Sequence, residues 1–204
     1  MQFPVRILSA GLLALNAAAA WAASVDIQAL GSDGRPLADT VLFLESRDAK
    51  AAARPLAGAE VAQAERRFVP RVTVVTAGTE LRFPNRDKVR HHVYSFSPSK
   101  TFELKLYAGT PANPVLFDKP GIAVLGCNIH DSMVAWVVVV ETPYFGQADA
   151  KGLVHLDNVP PGSYRLRSWH PALPPGAPAL DEALVVTAAG TQASVKLPLA
   201  LPAP

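Results

Sequence analysis

Sulfur is scarce in this chain: 204 residues hold one cysteine and two methionines, one of them Met1. A lone cysteine excludes an internal disulfide. An excess of charge of one sign is also lacking, with 19 lysines and arginines against 17 acidic residues, or 18 against 17 once Arg6 is set aside. That balance excludes a chain-wide electrostatic footprint for nucleic acid or for an anionic membrane surface. Past the N-terminus no apolar run is long enough to span a bilayer, so no membrane span is expected in the mature chain. The N-terminus itself, MQFPVRILSAGLLALNAAAAWAAS, has one basic residue, an apolar run from Ile7 to about Ala20 and small residues through Ala22. It reads as a secretory signal over residues 1–23, cleaved near Ala22 or Ala23. Export makes the single thiol notable. In an oxidising compartment a free cysteine needs burial, an intermolecular partner or a metal.

What the chain does have is strand-like sequence. Val25 to Leu30, Thr40 to Leu44, Val72 to Val75, His92 to Phe96, Ile122 to Leu125, Val134 to Val140, Tyr164 to Ser168 and Leu184 to Thr187 are short and rich in β-branched or aromatic residues. Each is bounded by Gly, Pro, Asn or Asp, the punctuation of strands and turns. The pattern predicts an all-β protein of sandwich type. Only Ala49 to Ala64, rich in alanine but interrupted by Pro55 and Gly58, has room for a short helix.

The cysteine sits in GCNIHDSM, residues 126–133, which sets Cys127, His130 and Met133 three apart. Thiolate, imidazole and thioether together suit copper, whose blue electron-transfer sites take two His and one Cys with a weak axial Met. Zn(II) on Cys, His and His is the other metal such a set accepts. A second histidine must come from elsewhere, and FPNRDKVRHHVYSF, residues 83–96, offers His91 and His92 at the start of a strand. Neighbours on a strand point to opposite faces, so one of the two enters a given site. The alternation leaves both open: Tyr94 and Phe96 share a face with His92, Val93 and Ser95 with His91. His155 and His170 read as surface or packing residues.

Three segments, FPNRDKVRHHVYSFS, FDKPGIAVLGCNIHDSMVAWVVVVETPYF and GLVHLDNVPPGSYRLRSWHP, resemble the cupredoxin-like proteins of proteobacteria often labelled methylamine utilization proteins. The C-x2-H-x2-M loop is similar to that of the amicyanins. The resemblance covers about Val61 to Pro171. It implies a cupredoxin Greek-key β-sandwich, one copper ion cycling between Cu(II) and Cu(I), and His91, Cys127, His130 and Met133 as its ligands. His91 is chosen because the family's first histidine stands eight residues after the strand phenylalanine, here Phe83. His92 then takes the place of the usual asparagine, where it can hydrogen-bond behind the site or serve as an alternative ligand. Asp131-Ser132 also departs from the more apolar family loop, so the docking edge beside His130 is expected to be less purely apolar.

The flanks suggest a second unit. VDIQALGSDGRPLADTVLFLES and QADAKGLVHLDNVPPGSYRLRSW each read as strand, turn, strand, and both resemble pieces of the small Ig-like carboxypeptidase regulatory-like sandwich, including its DGRPL-type hairpin. The expected organisation is a copper domain at 59–142 inserted into a discontinuous module of 25–58 and 143–200. The alternative is a tandem of 25–142 and 143–200.

The functional expectation is a periplasmic type 1 copper protein carrying one electron to or from a redox partner, a cytochrome c or a dehydrogenase, through a transient interface. Copper storage or delivery, and a binding module with a vestigial metal site, are the rivals. An enzyme is not expected. Cys127 and His130 lack the separately supplied base, orienting group and oxyanion donors of a hydrolytic site.

Overall fold

The structure, a computed structural model, describes residues 23–201; the signal segment read over 1–23 therefore lies outside it except for Ala23. Strands dominate. In chain order they are β1 (Ala23–Leu30), β2 (Val41–Glu45), β3 (Ala62–Ala64), β4 (Arg67–Val69), β5 (Val72–Thr76), β6 (Thr79–Leu81), β7 (His91–Ser97) and β8 (Lys100–Tyr107). There follow β9 (Val115–Phe117), β10 (Gly121–Gly126), β11 (Val134–Val140), β12 (Phe145–Gln147), β13 (Leu153–Val159), β14 (Gly162–Trp169), β15 (Leu180–Val186) and β16 (Thr191–Lys196). One short helix, α1 (Arg47–Ala52), starts where Ser46 Oγ accepts the Ala49 N–H at 3.1 Å and ends at Ala53, ahead of Pro55. It takes only the beginning of the alanine-rich stretch, because Pro55 and Gly58 cannot continue a helix at low cost. None of the described helices is long and apolar enough to cross a membrane.

The fold is all-β and built of stacked sheets. A five-stranded sheet runs β5-β11-β10-β7-β8, a four-stranded sheet β12-β2-β14-β15, and a three-stranded sheet β13-β1-β16. The three- and four-stranded sheets take their strands only from residues 23–45 and 145–196, so the two ends of the described chain pair with each other. The five-stranded sheet comes from residues 72–140.

The two flanking strand–turn–strand segments do not form simple hairpins. β1 pairs with β13 and β16, whereas β2 pairs with β12 and β14. After β1 the chain closes a tight turn at Asp33–Gly34, bridges Leu30 to Pro36, and then crosses to the other sheet. Between β13 and β14 stand Pro160 and Pro161, which have no N–H to extend a ladder, so the chain turns the same kind of corner there. Tyr164 ties that corner down, its hydroxyl donating to Pro160 O at 2.8 Å.

Burial follows the strand period. β1 buries Ala23, Val25, Ile27 and Ala29 in succession, as a half-covered strand should. β11, VAWVVVV, is covered on both faces, and its two faces feed different cores. Ala135, Val137 and Val139 join a cluster with Phe83, Leu125, Cys127 and Met133. Val138 and Val140 join the cluster of the terminal strands, with Trp136 packed against it. Trp136 stacks toward Trp169 at 6.2 Å, and the Arg71 guanidinium lies 4.8 Å over its ring.

His170, which the sequence pattern left as a packing residue, holds a specific place. Its Nε2–H donates to Ala38 O at 3.0 Å and its Nδ1 accepts the Ala172 N–H at 3.0 Å. The bond from Ala172 needs the neutral ring, because Nδ1 must keep its lone pair to accept it, and burial pushes the His170 pKa down. A depressed pKa in the folded state contributes stability above the unfolded value of about 6.5, lost as pH falls through the folded value. His155 works the other way. Exposed between Asp26 and Asp157, at 2.6 and 3.0 Å, it is raised by those hydrogen bonds and supports the fold below about pH 6.5. Between pH 7.5 and 5, urea unfolding should therefore show the His170→Asn variant closing its stability gap to the parent by about 1 kcal/mol, the worth of the lost Ala172 bond. A constant gap across that range contradicts the assignment.

Candidate metal centre

The loop from β10 to β11 explains the three-residue spacing. Asn128–Ile129 and Asp131–Ser132 form two successive turns, the second closed by the Met133 N–H donating to His130 O at 2.9 Å. Each turn returns the chain on itself after three residues, which brings Cys127, His130 and Met133 back toward one region. Cys127 and Met133 are buried at 3% and 1% exposure in the same core cluster. Gly126 precedes them for a steric reason: paired with Tyr94 across β10 and β7, it lies under that ring. A Cβ at position 126 would stand 2.7 Å from Tyr94 Cζ.

β7 supplies the distant histidine. His91, Val93 and Ser95 are wholly buried on one face, while Phe96, on the face of His92 and Tyr94, is 73% exposed. His92 is itself buried, at 5% exposure, but on that opposite face, against Tyr94. The donor atoms of His91, Cys127 and His130 all lie within 4.8 Å of one another, and the two imidazole rings are 5.0 Å apart. His92 stands outside this group. Its ring packs 5.5 Å from Tyr94, and its Nε2 lies 2.9 Å from Glu103 Oε1 without the alignment of a hydrogen bond.

Each of the two imidazoles keeps a free nitrogen. His91 Nδ1 and His130 Nδ1 are buried and have no hydrogen-bond partner, an arrangement that costs free energy unless something binds there. A thiol and two unpartnered imidazole nitrogens converging on one point, with a thioether in the same core, fit copper by donor chemistry. His130 is the half-buried member of the three, and beside it Ile129 and Val134 are 47% and 37% exposed while Asp131 is also exposed. The edge is thus mixed, apolar with one carboxylate.

Several supporting residues carry no motif in the sequence. Asp87 Oδ2 contacts His91 Nε2 at 2.7 Å. Burial alone would raise the Asp87 carboxyl, but the Arg66 N–H, the His91 ring and the Glu65 N–H hold it below the usual range. Asn85 donates to Val89 O and Tyr107 O at 2.8 and 2.9 Å, fixing the segment that carries Asp87. Tyr107 donates to Phe83 O at 2.7 Å and accepts from Gln63. Its pKa is pushed up to about 12 by burial, with the nearby Cys127 adding to the rise. The only trace of the Asp87 contact in the sequence is its spacing of four from His91.

No family model matches the chain, and no curated protein matches it. Among solved structures, the chain is similar to a novel purple cupredoxin from Nitrosopumilus maritimus, at 19% identity and TM-score 0.36, over 40% of this chain and 99% of that one. It is similar to a reduced tryptophan-to-tyrosine mutant of amicyanin at 21% identity and TM-score 0.38, over 48% of this chain and 98% of that one. It is also similar to the Cu-containing nitrite reductase (NirK) from Thermus scotoductus SA-01, at 20% identity and TM-score 0.38, over 55% of this chain and 28% of that one.

Proposed function

We propose that this protein is an exported, periplasmic type 1 copper protein that carries single electrons between redox proteins. The observation that carries the reading is the convergence of His91, Cys127 and His130 within 4.8 Å, with both imidazoles presenting buried, unpartnered nitrogens. Copper, when bound, supplies the electron by passing between Cu(I) and Cu(II). The chain's own residues hold the centre. Cys127 is fixed at the end of β10, His91 is set in β7 with its far nitrogen occupied, and Met133 is buried in the same core as the fourth soft donor. Because these positions belong to packed strands and a doubly turned loop, they are preorganised and resist rearrangement. His130, half-buried at the mixed edge, is where a partner such as a cytochrome c or a dehydrogenase approaches through a small transient interface.

We further propose that the copper unit, residues 59–142, is inserted in a discontinuous Ig-like module of 25–58 and 143–200. The pairing of the terminal strands supports this over a tandem arrangement.

Addition of Cu(II) to the purified protein tests the reading. An intense visible thiolate-to-copper absorption that bleaches on reduction and returns on mixing with oxidised cytochrome c is the expected result. A colourless protein sinks it. Ready loss of Cu(I) to a weak chelator without electron exchange points instead to storage or delivery.

A further inference from the structure

We infer that Asp87 is the positioning residue of this centre, fixing the tautomer of His91 and biasing the site toward the more highly charged oxidation state of its metal. The inference rests on the copper reading above. His91 is wholly buried and has two nitrogens in different situations: Nε2 stands 2.7 Å from Asp87 Oδ2, and Nδ1 has no partner in a ring whose donor atom lies within 4.8 Å of those of Cys127 and His130. An ionised carboxylate only accepts hydrogen bonds. The Nε2 of His91 must therefore carry the hydrogen, which leaves the lone pair on Nδ1, the nitrogen free to bind an ion.

Asp87 could not impose this if it were free to swing, and it is not free. Its carboxylate accepts the Glu65 N–H on Oδ1 at 2.7 Å and the Arg66 N–H on Oδ2 at 2.9 Å. Its own N–H donates to Asn85 Oδ1 at 2.9 Å. Glu65 and Arg66 are the two-residue turn between β3 and β4, and both have left-handed backbones, with φ of 53° and 56°. Glycine or asparagine is the usual occupant of such a turn, and other residues adopt it at a cost. Here the conformation points two consecutive N–H groups at one carboxylate. A hairpin tip, a carboxylate and an imidazole thus form one chain of hydrogen bonds ending at the centre.

An anionic acceptor behind a metal-binding imidazole makes that ring a stronger donor and places negative charge near the ion. Both effects favour the divalent state, so Asp87 lowers the reduction potential.

The test uses copper-loaded full-length protein and the Asp87→Asn variant, which removes the charge and keeps the shape. The variant should retain the visible band, while its Cu(II) affinity falls about tenfold relative to Cu(I), a rise of about 59 mV in potential. A band retained with the potential unchanged overturns the inference and leaves the copper reading standing. A parent protein with no band defeats the copper reading itself. Long-range 1H–15N NMR of the metal-free parent decides the matter even if the variant does not fold. His91 should appear as the Nε2–H tautomer, and an Nδ1–H tautomer overturns the proposal.

Discussion

Cys127→Ser should eliminate the intense visible absorption of the copper-loaded protein entirely, while His92→Ala leaves it in place. The absorption requires a thiolate on the metal, and Cys127 is the only sulfhydryl in the chain. A serine hydroxyl is hard and stays protonated, so it neither supplies the charge transfer nor replaces the affinity. His91→Ala and His130→Ala should each remove the band as well, because each takes away one of the three convergent donors. His92 lies on the opposite face of β7 toward Tyr94 and Glu103, so its loss should shift neither the band nor its intensity by more than a small fraction. Visible spectra of the four variants, each with its fold checked by circular dichroism, give the answer. A band lost in His92→Ala and kept in His91→Ala reverses the ligand assignment.

Phe83→Ala is expected to cost about 3–5 kcal/mol in unfolding free energy, the range for deleting a buried aromatic side chain. Phe83 is 2% exposed, packs 5.5 Å from Phe102, and belongs to the cluster that contains Cys127 and Met133. Its carbonyl also receives the Tyr107 hydroxyl, which anchors β8 beside the start of β7. Since typical domains have only about 5–15 kcal/mol in total, the loss should be plain in urea midpoints. It should also weaken metal retention, because the cavity lies in the core that fixes two of the donors. A cost under about 1 kcal/mol would show that the site does not depend on this core.

The strands were largely legible along the chain. β11 falls on the residues its apolar run marks, Val134 to Val140, and β7 and β10 extend the marked segments by one or two residues. β15 was displaced, starting at Leu180 rather than Leu184, because LDEALVV has its charged residues exposed in a sheet-edge position where apolar periodicity is weak. In the two flanking segments the strand–turn–strand order was legible but the pairing was not, for a different reason: turn residues specify that the chain reverses, not which sheet the next strand joins.

The same division runs through the candidate centre. The order of Cys127, His130 and Met133 is a local property, since two short turns return every third residue to one place whatever surrounds them. His91 against His92 is not local. Both occupy the same strand with opposite faces, and only the covering of one face by the core of Phe83, Leu125 and Val137 decides which side chain turns toward Cys127. Asp87 and the Glu65–Arg66 turn are further still from anything periodicity records, because their contacts join segments about twenty residues apart through hydrogen bonds of fixed geometry.

By itself, then, the sequence determined the strand content, the soft-donor loop and the need for a second histidine, because these follow from side-chain alternation and short-range turns. The tertiary structure decided the carboxylate behind His91 and the pairing of the two chain ends, and it sets His91 rather than His92 beside Cys127 and His130, the choice that only the resemblance, and not the alternation, had implied. Those depend on register and on which surfaces become buried together, and burial is a property of the assembled sheets rather than of any one segment.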